Sequence, residues 1–433
     1  MRMRQRAVSM LLPAMFIPWI LLIAAWKSTS QRHRHWLLTF FFTIYGATIA
    51  IAYDPLGAGP DGVRHLLNVY VHYVGLSFQQ FLSELWLILT FRPAETTNDD
   101  VFIHVLSYFT GGVLGEPRFF FPIVAMTYGY FFSGSMLEVF KYAKSGKRTL
   151  FFLAFGLLFF LVMNIEGVNP VRTWTAMWIL VYACLKYYST RRHCYLFLMF
   201  VPPLVHVGFF VLAIPAWLVL IFGNRQALFA ILFAASSFTT FVNPGTVTNV
   251  LSETELGADK VQGYYVEEVR DRRQTGQRIW LWLEEFGLQK WALNVLIFSL
   301  ILSGVYTNRM NGFQRTLFSI GLLALTMSNS TWYLFAVSNR SWIIGLIFIL
   351  AAYLCFVQHP NTAPRVPERD LIYRVGLRSS LALFVPYFIY NLSVLIDYPS
   401  IYLIGMPFLA VLSPESNVSI KEFAQLVLDA IFG

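Results

Sequence analysis

Val337–Phe356 reads VSNRSWIIGLIFILAAYLCF, and from Ser341 onward it holds no charged side chain. A helix needs about 17–25 largely apolar residues to cross a bilayer. Comparable runs occur at Met10–Trp26, Trp36–Tyr53, Phe119–Phe140, Thr149–Glu166, Val171–Tyr188, Gln226–Val242, Trp291–Thr307, Gln314–Ser328, Ile372–Tyr390 and Tyr398–Leu412. The chain is 57% hydrophobic and only 13% charged, with a mean hydropathy of +0.58, far from the globular average. The sequence therefore predicts an all-α, polytopic integral membrane protein with about 11–13 transmembrane helices. His193–Phe222 is too long for one plain span and carries Pro202, Pro203, Gly208 and Pro215. It reads as a broken helix, or two half-helices, meeting near His206.

The net charge of +9 does not indicate nucleic acid, because the basic residues fall in short clusters between the apolar runs. Placing Lys27/Arg32/Arg34, Lys141–Arg148, Lys186–Arg192, Arg309/Arg315 and Arg365–Arg378 in the cytoplasm satisfies the positive-inside rule at nearly every short loop. Arg2, Arg4 and Arg6 dissent. On this orientation 54–118 and 243–290 face outward from a single transmembrane domain spanning 1–412. The first holds an amphipathic run, Leu66–Thr90, suited to the interface, and a short apolar stretch, Val101–Gly115, that reads as re-entrant or interfacial. The second holds the polar insert Tyr264–Arg278. A tail, 413–433, opens with the capping-box pattern Ser419-Ile-Lys-Glu422. Three cysteines, Cys184, Cys194 and Cys355, imply no disulfide framework.

Common catalytic signatures are missing: there is no Walker A loop, HExxH, GxSxG or CxxC. Asn98-Asp99-Asp100 reads as solvated loop acid, with metal binding as the lesser alternative. What stands out are ionisable groups in or beside apolar segments, which are expensive to bury and so mark function. Arg172 opens the run after Pro170, His206 interrupts the broken segment, and Arg340 opens the stretch quoted above. Around them fall Asp61, Arg64, His65, Glu166 and the cluster Arg270–Arg273 on the outward side. An arginine-rich outer site suits an anionic lipid head group, because the guanidinium fork matches phosphate oxygens. Histidine beside it can take a proton from a hydroxyl at neutral pH. Each of these residues also has a plainer reading, as a lipid-facing anchor or a packed polar group.

In order and spacing, Asp61, Lys141–Arg148, Arg172, Lys186–Arg192, His206 and Arg340 resemble the EpsG-like and Wzy-type bacterial polysaccharide polymerases. The resemblance covers most of Trp36–Phe356. Two positions depart from the family's pattern, Thr173 where a Gln is usual and His65 where an aromatic is usual. The resemblance implies a C-type glycosyltransferase architecture in the bacterial cytoplasmic membrane, with its site facing the periplasm or outside and no cofactor or metal. The implied substrates are undecaprenyl-diphosphate-linked oligosaccharide donors and acceptors, with a chain-length regulator and a flippase as partners. Arg172, Arg340, Arg273, Arg270 and Arg64 would hold substrate, and His206, with Glu166 or Asp61, would handle the proton. An O-antigen-ligase-type transferase, a lipid-linked glycan transporter and, below them, a membrane O-acyltransferase are the rival readings.

Overall fold

The computed structural model describes residues 13–49, 61–92, 100–141, 149–162, 171–238, 287–359, 366–395, 399–412 and 418–432. Among them the architecture is all-α, and the pairings of strand type are two isolated bridges, Ile49 with Pro399 and Ser400 with Ser419. Two helical stretches, Pro117–Val139 and Ala336–Gln358, are long and apolar enough to cross a membrane by length and composition.

The first elements are α1 (Trp19–Lys27), α2 (Gln31–Ala47), α3 (Asp61–Asn68), α4 (Phe78–Leu89), α5 (Val101–Ser107), α6 (Phe120–Val139), α7 (Leu150–Leu161) and α8 (Thr173–Thr190). The broken segment follows as α9 (His193–Leu198), α10 (Pro202–Val205), α11 (Phe209–Leu212) and α12 (Ile214–Phe222). Then come α13 (Gln226–Ser236), α14 (Leu288–Leu302), α15 (Gly312–Ser330), α16 (Phe335–Gln358), α17 (Pro367–Val394), α18 (Phe408–Leu412) and α19 (Ile420–Phe432).

The apolar stretch that opens the sequence argument is the centre of the molecule. A helix hydrophobic on every side must be covered on every side, and α16 is buried without interruption from Ser341 to Phe356. Its tightest neighbour is α15, which it meets through Gly321 and Gly345. A Cβ on Gly345 would lie 2.6 Å from Leu325 Cγ and 3.1 Å from the Gly321 carbonyl oxygen, so the two backbones approach as small residues allow.

Polar contacts fix the helix directions. Gln358 donates to the Val139 carbonyl at 2.7 Å, and Lys186 reaches Glu138 at 2.7 Å. The C-terminal ends of α6, α8 and α16 therefore lie together. Gln314, in the first turn of α15, donates to the Cys355 carbonyl at 3.0 Å, which makes α15 antiparallel to α16. Lys141, Lys186, Arg191, Arg309 and Arg315 thus share one end, here called the basic end. The starts of α8 and α16 lie at the other.

The segment around His206 leaves the basic end and returns to it. Pro202 and Pro203 end α9 and open α10, and His206 then adopts an extended conformation, φ −151° and ψ 118°. Trp217 on the returning arm donates to the Met199 carbonyl at 3.2 Å and stacks on Phe200 at 5.4 Å. His206 is the tip of a hairpin, as the break in the sequence predicts.

Two expectations need correction. Leu66–Thr90 is not one helix: Gly75 turns at φ +84°, and α4 restarts from a capping box between Ser77 and Gln80. On α4, Phe78 and Trp86 are exposed, while Phe81 is buried, stacked on Tyr108 at 4.2 Å and on His104 at 4.8 Å. Tyr398–Leu412 is not a span either, since its described part is a short 3₁₀ turn and α18, separated at Gly405 and Pro407. The tail's capping box is present, with Ser419 N–H donating to Glu422 at 2.9 Å and Glu422 N–H to the Ser419 hydroxyl at 3.1 Å.

The α15–α16 contact is testable. Gly345→Val is expected to destabilise the purified protein by about 1–3 kcal/mol through overpacking, read as a lower melting temperature in detergent. Unchanged melting would mean that the two helices are not held at this spacing.

Candidate functional site

Four side chains from distant parts of the chain meet at the end of the bundle opposite the basic clusters. Asp100 stands at the N-cap position of α5 but makes no side-chain cap bond, although aspartate there usually does. Its oxygens are engaged elsewhere. Oδ2 accepts from Arg172 Nη1 at 2.7 Å and lies 3.2 Å from His206 Nδ1, while Oδ1 accepts from the Val207 backbone N–H at 2.6 Å. On the far side of the imidazole, Arg340 Nη1 is 3.1 Å from His206 Nε2.

Each donor is delivered by local structure. Arg172 is the residue at which α8 begins, and it follows Val171, held at φ +47° and fully buried. A β-branched residue in that conformation is strained, and such strain gathers at functional sites. Arg340 projects from the second turn of α16. His206 sits at the hairpin tip with Gly208 behind it, where a Cβ would come 3.1 Å from Nε2. A residue with a side chain at 208 would press on the imidazole.

The bonds also fix the protons. Arginine can only donate, so His206 Nε2 accepts from Arg340 and Nδ1–H donates to Asp100. The imidazole is therefore neutral, with its tautomer set by the carboxylate, the arrangement that prepares a general base. Burial by itself would raise the Asp100 carboxyl. The hydrogen bond from His206, the Arg172 guanidinium and the Val207 N–H outweigh it and hold the group well below the usual carboxylate range. Asp100 is thus charged throughout the neutral range. Its side chain is completely buried, that of His206 nearly so, and Arg172 is about a quarter exposed, which gives the cluster one open side.

Three residues singled out in the sequence, Arg172, His206 and Arg340, are brought together. The fourth, Asp100, was read as a solvated or metal-binding loop acid, and that reading is corrected: both of its oxygens are spent on an arginine, a histidine and a backbone N–H. Arg64 is exposed on α3 and is not among the partners of Asp100 or His206. His65 is half-buried on the same helix. Glu166, Arg270, Arg273 and the side chain of Asp61 lie outside the described residues, as do Asn98 and Asp99. Comparison with family models, curated proteins and solved structures returns no match for this chain.

Removing one partner of a buried ion pair strands the other. Asp100→Asn is expected to cost about 3–5 kcal/mol in a detergent unfolding titration, and adding Arg172→Met to that variant is expected to recover part of the loss. A double variant no more stable than Asp100→Asn alone would show that the pair is not energetically coupled.

Proposed function

We propose that this chain is a membrane glycosyltransferase that joins undecaprenyl-diphosphate-linked oligosaccharide repeat units at the outer face of the bacterial cytoplasmic membrane. The observation that carries this reading is the pairing of two guanidiniums with a carboxylate-oriented imidazole at the end of the bundle away from the basic clusters. The apolar helices support the membrane setting, as do exposed side chains such as Trp26, Phe197 and Ile221, which suit lipid contact. If the basic end is cytoplasmic, the cluster faces outward.

The chemistry follows from the bonds described. A diphosphate entering from the open side offers Arg340 a charged acceptor in place of a neutral imidazole, and brings a second anion within reach of Arg172, since guanidinium and phosphate oxygens pair in a charge-assisted fork. As Arg340 turns to the phosphate, the Nε2 lone pair of His206 is released. The acceptor sugar's hydroxyl oxygen then attacks the anomeric carbon of the donor, and its proton passes to Nε2. The anomeric C–O bond breaks with its electron pair leaving on undecaprenyl diphosphate, whose charge the two arginines stabilise. Asp100 keeps Nδ1–H pointed and stabilises the imidazolium. Substrate recognition and activation of the base are one movement of Arg340. Guanidinium groups supply the charge neutralisation that a metal ion gives in many soluble glycosyltransferases, so no step requires one.

Reconstitution tests this reading. The purified protein, given a lipid-linked repeat unit with no nucleotide or metal, is expected to yield a glycan ladder on a gel. His206→Gln is expected to reduce the rate by about 10²–10⁴-fold, and Arg172→Lys and Arg340→Lys to impair it because a point charge cannot replace the fork. A full ladder from a normally inserted Arg172→Ala protein would sink the assignment. Transfer to a lipid A core without polymerisation would identify a ligase, and movement of the lipid-linked unit between leaflets without chemistry a transporter.

A further inference from the structure

The residues that close the basic end form a second site. From Arg172 to Arg191 the chain is helical, and at 1.5 Å per residue the two ends lie roughly 28 Å apart, about the thickness of a bilayer's hydrocarbon core. At the far end, α8, α12, α13 and α15 surround a cavity of about 470 Å³. Arg191 and Arg315 line it, along with Tyr188, Asn224, Val219 and Leu220, and among the described residues no carboxylate does.

Its polar lining is rich in donors that the fold leaves unspent. Tyr188 is only 8% exposed, yet its buried hydroxyl has no hydrogen-bond partner among the described residues, and neither does the buried Nε of Arg315. Asn224 Oδ1 accepts from the Ser319 hydroxyl, which is in turn 2.8 Å from the Tyr306 hydroxyl. The amide NH₂ of Asn224 is what remains for a ligand. Arg191 occupies the left-handed conformation, φ 57°, that favours glycine at a helix end. There its guanidinium lies 5.5 Å from the Tyr188 ring centre and 5.8 Å from that of Tyr187. The positive end of the α15 dipole points the same way, since Gly312 and Arg315 in its first turn both line the cavity.

A buried donor without an acceptor is costly, and here the Tyr188 hydroxyl and the Arg315 Nε belong to residues that line a cavity with one further cation, Arg191. We propose that this cavity binds a phosphoryl group, on the face of the molecule opposite the Asp100 cluster. Val219 and Leu220 form an apolar wall, and Ile221 and Phe222 beyond it are 70% and 57% exposed. The phosphoryl group can therefore belong to a free phosphate or to the head group of an anionic phospholipid whose chains lie along that wall. The proposal depends on this geometry alone and holds whether or not the Asp100 cluster transfers sugars.

The test uses the full chain in phosphatidylcholine nanodiscs. One arm titrates inorganic phosphate by calorimetry. The other counts bound phosphatidylglycerol by native mass spectrometry at equal mole fraction with phosphatidylcholine. Selective binding in the first arm assigns free phosphate, and in the second the lipid head group. In either case Arg191→Gln and Arg315→Gln are each expected to weaken binding by about tenfold, Tyr188→Phe severalfold, and Arg378→Gln, at an exposed arginine of α17 outside the cavity lining, not at all. Melting temperatures identify variants that fail to fold, and Tyr188→Phe, which keeps the shape of the ring, carries the test if an arginine variant does. No binding in either arm by folded protein, binding undiminished in the double arginine variant, or binding lost in Arg378→Gln would each overturn the proposal.

Discussion

Everything at the end of the bundle opposite the basic clusters is organised around one buried carboxylate. Asp100 has no exposed surface, and an unpaired charge there would cost several kcal/mol. The fold avoids that cost only if the start of α8, the tip of the α9–α12 hairpin and the start of α5 arrive together. Arg340 from α16 joins through the imidazole. The carboxylate therefore acts as a register pin for segments that lie 72 and 107 residues along the chain from it, and apolar packing could not do this alone. Hydrophobic burial is indifferent to a small slide of one helix along another; a 2.7 Å ion pair is not.

The hairpin shows why the pin must be a polar group with two acceptors. Breaking a helix in an apolar setting leaves backbone N–H and C=O groups without partners. At the break the Val207 N–H is met by Asp100 Oδ1, while Oδ2 serves the arginine and the imidazole. One carboxylate thus satisfies a backbone orphan and aims a side chain in the same stroke, which an asparagine, with a single acceptor oxygen, does not reproduce. Gly208 completes the tip by leaving room for the imidazole.

Much of this was legible in the sequence. Periodicity-free apolar runs located the major helices, and the prolines at 202 and 203 located the break. Cost arguments singled out Arg172, His206 and Arg340, because a charge or imidazole in an apolar run needs an explanation. Asp100 escaped the same argument because it ends an Asn-Asp-Asp run in a polar stretch, where carboxylates are ordinarily solvated. The available signal was its position directly before the apolar run from Val101, which lets the fold carry it inward. Tyr398–Leu412 misled in the opposite sense. Its mean apolarity suits a span, but Gly405 and Pro407 sit where a helix would have to pass through, and local backbone chemistry overrode composition.

On the two proposals made above, the ends of α8 serve two chemistries. At its start the cations are already matched, by a carboxylate and an imidazole, so an entering anion must compete with internal partners, and that competition couples binding to release of a base. At its end Arg191 and Arg315 line a cavity with no carboxylate among its described lining residues, beside a tyrosine hydroxyl with no hydrogen-bond partner among them, so an anion there would be held without displacing an internal carboxylate. The first arrangement suits turnover, because a ligand that must displace an internal partner can be displaced by it in turn. The second suits residence. A single apolar helix separates the two by about 28 Å, roughly the thickness of a bilayer's hydrocarbon core.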